Sequence, residues 1–146
     1  KYKLITCAKA RKTKTMNKEK ITELYRSFEL TKDDVFKHKH YLIITRSGVE
    51  KIQSKSNIEV QFNLEQCTPN FAVVKAVAFK REAPDVRIET YGSALKGASY
   101  SDGSTNSWYV TELAEKRALS RSILKLVGAY ELGIFSEDES DEFKRS

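Results

Sequence analysis

Apolar residues in this chain change period as the sequence runs, and each change predicts an element. In "NKEKITELYRSFEL", Ile21, Leu24, Tyr25 and Phe28 fall at i, i+3, i+4 and i+7, one face of a helix that Asn17 can cap. "LTKDDVF" predicts a short helical turn, with Thr31 as its N-cap, Asp33 and Asp34 at the positive end, and Leu30 against Val35 as a staple. "YLIIT" predicts a short strand. Ser47 and Glu50 then form an S-x-x-E capping box, which predicts a helix of about two turns that ends near Asn57.

The period next drops to two. Ile58, Val60, Phe62 and Leu64 alternate with Glu59, Gln61, Asn63 and Glu65, the pattern of a strand wet on one side. "FAVVKAVAFK" is apolar on both faces. Phe71, Val73, Lys75, Val77 and Phe79 share one, and Ala72, Val74, Ala76 and Ala78 share the other, where a helix can approach closely. "REAPD" turns the chain into a third strand, "VRIETYG". A Gly/Ser-rich loop, "GSALKGASYSDGSTNS", leads to a long helix that Thr111 caps, that carries Glu112 and Glu115 early, and that Gly128 or Gly133 ends.

These elements describe an α+β fold: an antiparallel meander of three to four strands packed by a long C-terminal helix, a β-α-β-β-β-α core with an N-terminal helix. The 146 residues suit one domain, expected over 17–135, with 1–16 as a basic arm or edge strand ("YKLITC") and 136–146 as an acidic tail. The chain starts at Lys1 and not at methionine, so its natural start is expected upstream. No apolar run spans a bilayer and no signal-peptide pattern appears, which points to the cytoplasm and away from a membrane. Cys7 and Cys67 have no paired spacing and read as free thiols. His38 and His40 lack companions at metal-ligand spacing, so no metal and no cofactor is expected.

Charge changes the picture more. The net charge is +6; residues 1–20 hold eight Lys/Arg against one acid, and residues 137–142 hold five acids and no base. A basic end suggests a polyanion partner. Within the long helix, with Arg117 at 0° on a wheel of about 100° per residue, Arg121 and Lys125 follow at about 40° and about 80°. Leu119, Ile123, Leu126 and Val127 take the opposite side. No acid stands at i−4 to any of the three cations, so the stripe reads as unneutralised and able to track a nucleic-acid backbone. Lys75, Arg46, Lys80 and Arg81 are further candidate phosphate contacts, and Tyr100, Trp108 and Tyr109 are candidates for base stacking.

The order of capped helix, meander, loop and "TELAEKRALSRSILKLVGAYELG" resembles the single-strand annealing recombinases typified by Rad fifty-two, with related phage and mobile-element proteins. "VEKIQSKSNIEVQF", "FAVVKAVAFKREAPDVRIETYG" and "AEKRALSRSILKLVG" carry the resemblance, over about residues 41–130. It implies a homo-oligomeric ring or filament that binds single-stranded DNA in a basic groove and anneals complementary strands without nucleotide hydrolysis. Arg121 and Lys125 would be the groove cations, with Lys116 and Arg117 one turn earlier. The family's adjacent basic pair falls on Arg121–Ser122, so one cation is missing here. The acidic tail, by its charge, would either occupy the basic groove or dock a partner such as a host single-strand-binding protein or nuclease. No Walker loop, nucleophile motif or H-E-x-x-H is present, and no catalytic residue is assigned. Alternatives are a duplex-binding domain of the double-stranded-RNA-binding type, a small phage nuclease using Glu82, Asp85 and Glu89, and a structural subunit with incidental basic charge.

Overall fold

The computed structural model of the chain describes residues 17–39, 41–97 and 108–139. Residues 17–27 are helical (α1), and Ile21, Leu24, Tyr25 and Phe28 pack against the core as their spacing requires. Asn17 is already helical, so it is not the cap.

Residues 30–34 form a tight turn and not a helical one, and the chain enters strand β1 (Val35–His38). Asp34 is the cause. Its carboxylate is buried and accepts from Thr31 N at 2.9 Å, Thr31 Oγ1 at 3.1 Å, Ser47 Oγ at 2.8 Å and Lys51 Nζ at 2.6 Å. Thr31 therefore donates to Asp34 instead of capping a helix. The Lys51 ammonium first, and then the Thr31 amide, hold the Asp34 carboxyl far below the usual carboxylate range.

Strand β2 (Tyr41–Ile44) pairs antiparallel with β1. Helix α2 (Arg46–Lys55) is capped by Thr45, whose Oγ1 accepts from Gly48 N at 3.4 Å. The expected Ser47 box does not form, because Ser47 donates to Asp34 instead. Asn57, at φ 50°, closes the helix end as its sequence position suggested.

Strands β3 (Ile58–Cys67), β4 (Phe71–Lys80) and β5 (Ala83–Leu95) make the antiparallel meander, in the order β3-β4-β5. Helix α3 (Val110–Leu126) lies on its small-residue face, where Ala72, Val74, Ala76 and Ala94 meet Val110, Ala114 and Ala118. The approach is closest at Gly92: a Cβ there would collide with the Ala114 carbonyl oxygen and the Ala118 nitrogen. Thr90 Oγ1 donates to Ala118 O at 2.9 Å beside it. Thr111 lies inside α3 and is not its cap; Tyr109 holds the N-cap position without a side-chain bond. Gly128, at φ 77°, ends the helix with Ala129 N donating to Leu124 O at 2.9 Å.

A second sheet was not expected. Strand β6 (Ile134–Ser136) runs parallel to β2, giving the order β1-β2-β6. A 3-10 turn, Glu137–Glu139, follows. Residues 136–139, assigned by composition to the tail, thus belong to the fold: Ser136 and Glu139 are buried. Residues 1–16, 40, 98–107 and 140–146, with the expected arm, His40, most of the Gly/Ser loop and Tyr100, lie outside the described residues.

Candidate nucleic-acid interface

The stripe on α3 begins where the helix crosses β5. Arg117 Nη1 donates to Ser93 O at 2.7 Å, and Arg121 Nη1 donates to Tyr91 O at 2.8 Å. Both carbonyls sit on the outer edge of β5, where the two guanidinium groups satisfy them. The acidic turn closes from the other side. Arg121 Nε donates to Glu139 Oε1 at 2.6 Å, and Arg117 Nε to Asp138 O at 3.3 Å. Ser120 Oγ donates to Asp138 Oδ2 at 2.8 Å, and Arg46 N to Glu137 Oε1 at 2.6 Å.

The stripe is therefore not unneutralised, which corrects the reading made from i−4 neighbours. The partners are backbone carbonyls and a carboxylate 18 positions further on, which no local charge pattern displays. Arg117 and Arg121 come together at the acidic turn, whereas Arg46 meets it only through its backbone N–H, its guanidinium standing elsewhere, by Glu50. Lys125 stays exposed, with Nζ 5.2 Å from the Tyr130 ring centroid, and Lys116 lies on a different flank of α3.

The remaining cations lie apart from these. Lys75 is on the sheet face away from α3, where Glu89 Oε2 approaches its Nζ at 3.6 Å and answers the charge of a half-buried strand position. Arg81, beside Lys80 at the β4–β5 turn, stands 3.5 Å from Glu59, and Arg46 Nε stands 3.7 Å from Glu50.

Two of the candidate aromatics have the form a base-stacking site needs. Trp108 and Tyr109, immediately ahead of α3, are 67% and 49% exposed. Their rings stack at 3.9 Å between centroids, 28° from parallel. The acidic turn is a feature the sequence did not reveal. For the turn the only signal was composition, which resembles a solvated tail.

Among the described residues, no helix is long and apolar enough to cross a membrane, and no three His, Cys, Asp or Glu side chains are grouped to hold a metal ion. Comparison with protein-family models, with curated proteins and with solved structures returned no match.

Proposed function

We propose that the protein binds single-stranded DNA and anneals complementary strands as a cytoplasmic homo-oligomer, without hydrolysing nucleotide. The observation that carries this reading is the exposed, mutually stacked Trp108–Tyr109 pair at the head of α3. A base stacked on such a platform is held by a face that all four bases share, which leaves its pairing edge open to a complement. The net charge of +6 and the basic content of residues 1–20 supply the attraction for phosphate. Arg117 and Arg121 act here as positioning residues that hold α3 on β5, and Lys125, Lys80 and Arg81 remain the candidate phosphate contacts.

Trp108 is the single tryptophan, so its fluorescence reports the site directly. Titration with an unstructured oligonucleotide at two salt concentrations should quench it, with an affinity that falls as salt rises. Trp108→Ala with Tyr109→Ala should weaken binding by about 5- to 150-fold, from about 1–3 kcal/mol of stacking per base. An emission unmoved by saturating DNA, or a double variant that binds like the parent, would sink the reading.

A second reading is a partner-binding structural subunit whose arginines are internal ties, and the engagement of Arg117 and Arg121 favours it. Its mark is no measurable affinity for single strands even at low salt.

A further inference from the structure

The smaller sheet ends on a strand edge beside an apolar cavity. β1 is the outermost strand of the order β1-β2-β6. Thr45 N donates to Asp34 O at 2.8 Å, so the even-numbered residues that follow in β1 turn their backbone groups toward β2. Backbone groups alternate sides along a strand, so Val35 and Lys37 direct N–H and C=O outward. Side chains alternate as well. Val35 and Lys37 stand on the face of Ile44 and Leu42, and Phe36 stands on the face of Ile43.

An open cavity of about 280 Å³ is lined from both faces of β1, by Val35 and Lys37 from one and by Phe36 from the other. It therefore lies along the strand's outer edge. Tyr25, Leu30 and Leu42 complete its apolar wall. Tyr25 offers only its ring, since its hydroxyl is buried. Thr31 also lines the cavity, but its amide and its hydroxyl both donate to Asp34. Such a lining suits a hydrocarbon or aromatic side chain and would leave the polar edge of a nucleobase unpaired. Pockets for whole small molecules run from about 300 to about 1,000 Å³, so this one is sized for a single side chain.

Charge selects what carries that side chain. Lys32 and Lys37 line the same cavity, both are exposed, and neither has an ion-pair partner among the described residues. Of the acids at 29–37, Glu29 is held by Lys55 and Asp34 by Lys51, which leaves exposed Asp33. A second β1 paired here would bring its own Lys37 alongside these cations, which like charges oppose. We propose that this edge and cavity dock an acidic, extended peptide segment of another protein. One apolar side chain fills the cavity, carboxylates meet Lys32 and Lys37, and main-chain hydrogen bonds reach Val35 and Lys37. Such docking is independent of the DNA-binding reading.

Labelled heptapeptides of sequence DEDXDED test it on the full chain, with X as Phe, Leu or Trp, and with Ser as the version that lacks an anchor. At low salt at least one anchored peptide should bind saturably, about tenfold or more tighter than the Ser version. It should also shift the amide resonances of Val35 and Lys37. Lys32→Glu with Lys37→Glu should weaken that binding about tenfold or more. Both lysines are exposed, so the denaturant midpoint should hold. Lys18→Glu with Lys20→Glu makes the same change in net charge outside the cavity lining and should bind like the parent. No saturable binding by any of the three anchored peptides overturns the proposal. So does equal binding of the Ser peptide, or an equal loss in both lysine pairs, which would leave only attraction to the net charge. An unstructured oligonucleotide that binds where no peptide does, and is lost in Lys32→Glu with Lys37→Glu, would assign these cations to nucleic acid instead.

Discussion

Asp34 gathers four donors from three residues in two segments: Thr31 in the turn, and Ser47 and Lys51 in α2. Asp34→Asn keeps the shape and removes the charge, so it should cost about 2–3 kcal/mol, as for hydrogen bonds to an ionised group. Urea unfolding checks this. Because the folded carboxyl is held below its unfolded value, its contribution is fully present above the unfolded carboxylate range, near pH 4. It is lost as pH falls through the folded value. The parent should therefore lose stability between about pH 5 and pH 2 more steeply than Asp34→Asn does; equal slopes would deny Asp34 this role. At Arg121 the same logic applies to a partner. Arg121→Ala would leave Glu139, 3% exposed, without its guanidinium, at a cost of about 3 kcal/mol. Arg121→Met with Glu139→Gln should recover part of that loss. A neutral Arg121→Ala would show that the contact holds nothing. Any loss of DNA binding in Arg121→Ala must accordingly be read against its stability.

At the level of elements, the seating of α3 on β5 depends on a missing methyl. Gly92→Ala would push a Cβ into the backbone of α3 at Ala114 and Ala118, and helix backbone cannot swing aside as a side chain can. The expected cost is about 3 kcal/mol, at the upper end for overpacking, read as a drop in the denaturant midpoint. The meander and α3 were legible because each runs long enough to show its period, and the small face of β4 announced a close helix. What stayed hidden was short or distant. β6 has three residues, too few for a period, and its partner strand lies far back in the chain. Thr45 outcompeted Ser47 as a cap only because Asp34 claims the serine. Phe62 and Leu64 had the alternation of a buried face, yet α3 does not extend over them. The partners of the stripe cations are not legible, since carbonyls of β5 and an acid 18 residues on leave no mark in a helical wheel.

For the molecule as a whole, the basic excess is unevenly distributed. Described cations such as Arg121, Lys51, Lys55 and Lys75 hold acids, while the stretch 1–16 brings six Lys/Arg and no acid. Removing residues 1–16 should therefore flatten the salt dependence of single-strand binding by several units of log–log slope, at about 0.7 for each phosphate that is no longer neutralised. An unchanged slope would place the phosphate-binding cations on the folded domain.

The parallel pairing of Leu42 with Ile134 also sets an order of events. A ribosome delivers β2 before the meander and β6 after α3, so the first hairpin has to wait for the meander and α3 to emerge before its flank is closed. Nascent chains halted ahead of Ile134 should remain protease-sensitive around Ile43 and Ile44, however complete the meander already is.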